Sequence, residues 1–298
     1  MNHLPERHQI TGLGELLWDI LPEGPRLGGA PANFIYNISR FGLSSTLVSA
    51  IGNDEAGSLA VEELNKLEVP GFLATVPHPT GKVDVNLDGA GVPVYDIRKP
   101  AAWDFIPMGT ALRRLAHRTT VACFGTLAQR SPVSRATINM FLDTMPDGRG
   151  RLKVFDINLR SDYYSKEVIV QSLMRCNILK INNIELSEVA AMLGYKSVHP
   201  EEICHRLMHD YSLECLALTC GESGSYIFGK STMSYLPAPK VKVEDTVGAG
   251  DSFTAAMIAS LLRGESIEEA HRLAVEVSAF VCTQKGAMTP LPASLTAR

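Results

Sequence analysis

Gly248-Ala249-Gly250-Asp251 combines three small residues with an acid, immediately ahead of a long apolar segment. If that segment is a helix, its first amides lack intrahelical partners and no side chains shield them. Such an end attracts anions through hydrogen bonds and through the helix dipole. A carboxylate in the first turn also caps helices, a role worth about 1 kcal/mol. A cap explains the acid but not the glycines before it. Taken together, the residues suggest phosphoryl transfer: the Gly248–Gly250 amides hold the moving group, and Asp251 accepts a hydroxyl proton.

Two other glycine-rich stretches invite the same reading and fail on context. Gly224 to Ser231 satisfies the spacing of a Walker A loop, with Gly229-Lys230-Ser231 at its end. That loop requires a helix directly after it. Here Tyr226-Ile227-Phe228 and Met233–Leu236 favour strands, so the spacing predicts a hairpin turning at Gly229-Lys230. Gly12-Leu13-Gly14 has Leu17 where a dinucleotide fingerprint needs its third glycine. These glycines read as points of close backbone approach.

The elements that would position these residues follow from periodicity. Short apolar runs at Ser45–Ile51, Thr119–Phe124, Leu152–Ile157, Ile178–Ile181 and Cys215–Thr219 predict strands. Amphipathic segments between them, such as Glu55–Leu67, Ser134–Met145, Lys166–Arg175 and Asn183–Leu193, predict helices. The last large pair spans Asp251–Arg263 and Ile267–Thr283. Alternation of this kind predicts an α/β fold, a doubly wound, mostly parallel sheet between two layers of helices. The stretch Gly71–Ile106 departs from it. Period-two alternation through Val83, Val85, Leu87, Val94 and Ile97, with turn residues at Asp88-Gly89 and Gly91, predicts a small β element. It is either a lid over a site, the reading the length of the excursion favours, or an extension of the sheet's edge.

Composition narrows the class. The 298 residues carry a net charge of −4, with 45% hydrophobic and 20% charged residues, and no run of basic side chains. That excludes a nucleic-acid backbone as the expected partner. No apolar stretch reaches the ~20 residues of a membrane span. Six scattered cysteines without a CxxC pair read as reduced thiols in a cytoplasmic protein. His205 and His209 share a helical face, but the segment lacks the glutamate of a zinc-protease motif.

The segment Asp245–Phe253, DTVGAGDSF, resembles the C-terminal signature of the ribokinase-like (PfkB) carbohydrate kinases. Gly28-Gly29-Ala30-Pro31-Ala32-Asn33 is similar to that family's N-terminal glycine signature, and Asn182-Asn183-Ile184-Glu185 to its NxxE motif. Thr219-Cys220-Gly221-Glu222-Ser223-Gly224 resembles its TxGxxG nucleotide segment, and Lys285-Gly286-Ala287 the loop beside the adenine. The resemblance implies one ribokinase-like kinase domain over residues 1–298, with a lid formed by about 17–29 and 72–106. It implies ATP and magnesium as co-reactants. Asn182 and Glu185 would position magnesium and phosphate, and Asp245 would face a monovalent cation such as potassium.

Within the family, Gly14–Gly24 followed by Arg26–Phe34, Thr80-Gly81, Ala101-Ala102-Trp103-Asp104 and Asp156-Ile157-Asn158-Leu159-Arg160 are similar to the fructokinase branch. This implies that Asp19, Gly29, Asn33 and Asn158 bind the sugar and that Arg160 touches the transferred phosphoryl group. The nucleotide would lie on Thr219, Gly221, Gly224, Lys285, Gly286 and Ala287. The expected reaction is ATP-dependent phosphorylation of D-fructose to fructose 6-phosphate. The alternatives are another acceptor (2-keto-3-deoxygluconate, ribose or a nucleoside) or a sugar sensor without activity. Ala30, where ribokinase carries lysine, argues against ribose. Exposed valines on the lid, Val83, Val85 and Val94, would suit pairing with a second copy as a homodimer.

Overall fold

The apolar runs and the amphipathic segments form separate layers because each buries a different pattern. In a computed structural model, residues 8–87, 93–148 and 150–297 are described. The strands are β1 (Ile10–Leu13), β2 (Leu17–Leu21), β3 (Gly24–Gly28), β4 (Ser45–Gly52), β5 (Gly71–Val76), β6 (Gly81–Leu87) and β7 (Pro93–Ile97). They continue with β8 (Val121–Phe124), β9 (Leu152–Asp156), β10 (Ile178–Asn182), β11 (Cys215–Thr219), β12 (Ser225–Gly229) and β13 (Met233–Leu236). A nine-stranded sheet has the order β13-β12-β11-β10-β9-β8-β1-β4-β5, and a second sheet the order β3-β2-β6-β7. From β11 to β5 the neighbours in the large sheet are parallel, while β12 and β13 pair antiparallel at its edge.

The helices are α1 (Ala30–Arg40), α2 (Glu55–Lys66), α3 (Thr110–Arg118), α4 (Pro132–Thr144) and α5 (Lys166–Leu173). After them come α6 (Asn183–Leu193), α7 (Pro200–Asp210), α8 (Ala249–Leu262), α9 (Ile267–Cys282) and the short α10 (Ala293–Thr296). Two apolar cores lie on opposite faces of the large sheet. In β11, Leu216 and Leu218 enter the core under α3–α7, while Cys215 and Ala217 enter the core under α1, α2, α8 and α9. Period-two alternation with both faces covered is why the strands read as continuous apolar runs. Helix α8 is buried on nearly all sides from Ser252 to Ser260, as the central helix of its layer must be. The small sheet stands apart from the large one, the layered architecture that the resemblance implies.

The small sheet is narrower than the sequence pattern suggests. Residues 72–76 belong to β5, the edge strand of the large sheet. Ala101–Asp104 lies in the core, not in a lid: Ala102 and Trp103 are fully buried. There the Arg130 guanidinium stacks over the Trp103 ring at 4.0 Å and bonds Asp104 at 2.8 Å. Thr80 is tied to the N-cap of α2, its hydroxyl 2.6 Å from Asp54 Oδ1. These segments root the small sheet in the body of the protein. Val83, expected on an exposed face, is 4% exposed, which removes it from any pairing surface. The turn at Asp88-Gly89, Gly91, and the side chains of Val85 and Val94 lie outside the described residues.

The segment with Walker-like spacing is a hairpin. Strands β12 and β13 pair antiparallel, and the Gly229 amide bonds the Thr232 carbonyl at 2.8 Å across the turn. At the other glycine pair, a Cβ on Gly12 would stand 2.7 Å from Ile35 Cγ1, and one on Gly14 2.9 Å from Pro31 Cγ. Both glycines admit α1 against β1.

Candidate active site

Strand β1 lies between β4 and β8, so the chain runs outward from it in both directions. A parallel sheet opens a crevice at the carboxyl ends of its strands where the order reverses. The candidate residues gather there. Glu15 follows β1, Asn158 and Arg160 follow β9, Asn182 ends β10 and Thr219 ends β11. From the α8 side come Asp245, Gly248, Gly250 and Asp251; from the small sheet come Asp19 and Arg26. These residues line one cavity of about 1130 Å³, together with Gly29, Asn33, Lys180, Lys285, Gly286 and Ala287. Gly221, Gly224, Ala249 and Glu185 stand outside its lining.

The turn before α8 is shaped by its glycines. Gly248 adopts φ 77°, a left-handed conformation, and a Cβ there would overlap Ala287. A Cβ on Gly250 would stand 2.7 Å from Lys180 Nζ. The glycines therefore admit the Lys285–Ala287 loop on one side and a lysine on the other, a more specific reason than open access for a phosphate. Among the described residues, the amides of Gly248, Gly250 and Asp251 donate to no protein acceptor. They are free to meet an anion.

Asp251 is tied to the opposite wall. Asn33 Nδ2 of α1 donates to Asp251 Oδ2 at 2.8 Å. The Asp251 carboxyl is raised to about 6, first by burial and then by the Asp156 carboxylate; Asn33, Lys180 and Arg160 act the other way. Asp19 is raised to about 6 by burial, with Arg160 lowering it and Asp245 raising it. Glu15 is raised to about 7, mainly by burial; its own amide lowers it, Asp251 raises it, and Arg160 and the Ala30 amide lower it. Arg160 thus acts on three carboxyls across the cavity, although the residue is exposed and, among the described residues, its guanidinium bonds only the Leu159 carbonyl, at 3.2 Å. Glu15 Oε2 and Asn33 Oδ1 are buried acceptors without a hydrogen bond among the described residues.

Backbone geometry seats the remaining sugar-side residues. Gly29 has φ 115°, and a Cβ there would overlap the Glu15 carbonyl. A Cβ on Gly28 would stand 2.6 Å from Asp19 Oδ2, so the carboxylate lies against β3. Asn158 sits at φ 47°, a conformation that asparagine tolerates better than most residues.

On the nucleotide side, Asn182 and Glu185 form a reciprocal cap at the start of α6. Asn182 Oδ1 accepts the Ile184 and Glu185 amides, both at 2.9 Å. Glu185 accepts the Asn182 amide at 2.9 Å and reaches back to the Leu159 amide at 2.9 Å, bracing the loop that carries Asn158 and Arg160. Thr219 is half-buried at the cavity edge, while Gly221 and Gly224 shape the turn into β12. Lys285 is exposed and approaches Glu244 at 3.5 Å. Asp245 accepts the Val247 and Gly286 amides, both at 3.0 Å, and Arg26 of β3 approaches it at 3.8 Å.

The signature of the pfkB family carbohydrate kinases matches residues 25–294. The chain belongs to that family. A fructokinase of Salmonella typhimurium is 28% identical to it, over 95% of this chain and 96% of that one. A fructokinase of Escherichia coli is 26% identical, over 95% and 96%. An uncharacterized sugar kinase from Pyrococcus horikoshii superimposes with a TM-score of 0.81 at 27% identity, covering 97% of each chain; it has also been solved in complex with ATP. A Vibrio cholerae fructokinase, solved with fructose, ADP and potassium, shares the fold with a TM-score of 0.82, at 24% identity and 99% coverage of each chain. This PfkB chain is therefore a sugar kinase, a phosphotransferase acting on an alcohol.

Three residues of the kinase cavity were not singled out by their sequence pattern. Glu15 stood within a resemblance without a role of its own. Arg26 likewise carried no role of its own. Lys180 left a usable signal, since a charge inside an otherwise apolar strand requires a buried partner.

Proposed function

We propose that this kinase transfers the γ-phosphoryl group of ATP to D-fructose, yielding fructose 6-phosphate and ADP. The observation that carries the reading is the 2.8 Å bond from Asn33 to Asp251. It joins the helix that follows the Gly28-Gly29 turn to the acid beside the free amides of α8, in a cavity shared with Asp19. Fructose as acceptor is supported by the fructokinases among the relatives, and ATP by the nucleotide complexes of the similar kinases.

Sugar hydroxyls meet Asp19, Asn33, Asn158 and the Gly29 backbone. The nucleotide lies toward Thr219 and Lys285–Ala287, its terminal phosphate at the Gly248 and Gly250 amides. The acceptor oxygen attacks phosphorus, the bond to the β,γ-bridging oxygen breaks, and the hydroxyl proton passes to Asp251. Main-chain amides and Arg160 meet the charge that develops on the phosphoryl oxygens. The small sheet, linked to the nucleotide side through Arg26 and Asp245, excludes water as a competing acceptor.

Magnesium, when bound with the nucleotide, supplies charge neutralisation on the phosphates. The oxygens of Glu185 and Asn182 already accept main-chain amides, so they fit an ion held through water better than one ligated directly. The Asp245 carboxylate fits a monovalent cation such as potassium as an acceptor it would share with Arg26.

The test is ADP release over a panel of sugars and nucleosides, with and without potassium. Fructose is expected to give the highest kcat/KM. Turnover of another acceptor with none of fructose overturns the substrate assignment. Calorimetric sugar binding without ADP release would replace the enzyme with a sensor.

A further inference from the structure

Lys180 lies in the interior of β10, 6% exposed, where a charge is expensive unless it is compensated. Alternation along the strand explains its direction. Leu179 and Ile181 enter the core under α3–α7, while Ile178 and Lys180 face the layer containing α8. Asp156 is its register partner on β9 and faces the same way. The ammonium bonds Asp156 Oδ1 at 3.1 Å, and Asp156 Oδ2 accepts the Thr254 hydroxyl of α8 at 2.9 Å. One turn earlier in α8 stands Gly250, whose missing Cβ leaves the space that Nζ approaches. Lys180 also lines the cavity with Gly248, Gly250 and Asp251.

An ion pair that served only stability would not need to be placed beneath this turn. We propose that Lys180 is a positioning residue of the kinase: its ammonium, seated under Gly250 and anchored by Asp156, supplies fixed positive charge to the anion site and holds Asp251 ionised. The proposal rests on the phosphoryl-transfer reading of the site and explains why position 250 is a glycine. Burial lowers the affinity of the amine for a proton, but the carboxylates of Asp156, Glu185 and Asp251 outweigh it, so the side chain stays charged. The groups facing Asp251 are Glu15 after β1, Asn33 on α1, the Cys123 thiol on β8, Asp156 on β9, Arg160 after it and Lys180 on β10. Lys180 and Arg160 are the cations among them. Asp156 is an opposing anion, and its pairing with Lys180 limits how far it disfavours Asp251.

The arrangement makes the two halves of the ion pair distinguishable. Removing the cation should raise the Asp251 midpoint, and removing the anion should lower it, whereas a purely structural pair would be damaged alike from either side. The experiment is carbon-13 NMR titration of the Asp251 carboxyl in the wild type, Lys180→Met and Asp156→Asn, assigned by its loss in Asp251→Asn. The expected shifts are about one pH unit upward for Lys180→Met and downward for Asp156→Asn. Lys180→Met should also lower kcat roughly 10- to 100-fold with the sugar KM within about twofold, and carry the acid limb of the rate profile upward. Shifts of the same sign, or an unmoved midpoint in Lys180→Met, overturn the proposal. If Lys180→Met does not fold, Asp156→Asn decides: a downward shift supports the proposal, and an unchanged or upward one overturns it. The titration needs no turnover. An inactive wild type would refute the kinase reading, while the signs of the shifts would still decide the role of Lys180.

Discussion

The turn at Gly248–Asp251 and the hairpin at Gly224–Ser231 are both glycine-bounded, and both match a phosphate-binding pattern on spacing. They differ in the element beyond the last glycine. Beyond Gly250 the chain runs on in α8, at whose start the Gly248, Gly250 and Asp251 amides are free among the described residues; after Gly229 it turns back into a strand whose backbone groups are already paired. The glycines also serve different ends. Gly224 has φ 92°, and its missing Cβ makes room for the Leu236 carbonyl of the paired strand. Gly248 makes room for a loop of the cavity wall. A glycine pattern therefore shows where a backbone must bend or be approached, and the next element decides whether the approaching group is a ligand or the protein itself.

The largest expected contrast is between the polar residues of the two segments. Asp251→Asn should lower kcat by roughly 10²–10⁴, the range of a lost general base, while Lys230→Ala should leave it within about twofold. A steady-state ADP-release assay checks both. A strong effect at Lys230 with a weak one at Asp251 would exchange their roles.

The glycines sharpen the contrast by separating stability from activity. Gly224→Ala and Gly248→Ala each place a Cβ in a left-handed conformation against another part of the chain, and each should be destabilising by about 1–3 kcal/mol. Only Gly248→Ala should also change the folded enzyme, with a KM for ATP raised roughly tenfold. Urea denaturation, combined with kinetics normalised to the folded fraction, separates the two losses. Equal kinetic effects would erase the distinction.

The Asp251 carboxyl also leaves a thermodynamic trace that the hairpin lacks. Its value rises from 3.8 to about 6 on folding, so the charged form is disfavoured in the native state. The penalty is absent below about pH 4 and fully present above about pH 6, where it amounts to about 3 kcal/mol. Stability through this residue therefore falls as pH rises across that window. Asp251→Asn should remove that loss and be more stable than the wild type at pH 8 but not at pH 4. Asp19 and Glu15 shift in the same direction, so the informative quantity is the difference between variant and wild type in urea midpoints across pH.

The smallest effect is expected at the rim. Lys285 is exposed and 3.5 Å from Glu244, a pair worth at most about 1 kcal/mol in water. Lys285→Ala should change the ATP KM less than about threefold and leave the urea midpoint almost unmoved. A large loss of ATP affinity would make the lysine a direct phosphate ligand.

Much of this architecture was legible in local pattern. The predicted strand Cys215–Thr219 is β11 residue for residue, and the predicted helix Asn183–Leu193 is α6. The hairpin at Gly229-Lys230 was equally visible, since β-forming residues flank it on both sides. The root of the small sheet was not. Ala101–Asp104 comes after the strand-like run, and nothing local shows that Trp103 is buried beside Arg130, a residue distant in the chain. Val83 likewise alternates as an edge residue would, and only packing shows that it faces inward.

The sequence by itself determined local elements such as β11, α6 and the β12–β13 hairpin, the open end of α8 and the identity of Asp251, because these depend on residue types within a few positions of one another. Tertiary structure alone decided that Asn33 reaches Asp251, that Lys180 lies beneath Gly250, and that Glu185 braces the Arg160 loop. Those contacts join residues far apart in the chain, and their geometry is set by strand order and by which face of the sheet each residue occupies. Charge and burial at the site are consequences of that placement, and so are the raised carboxyls of Asp251, Asp19 and Glu15.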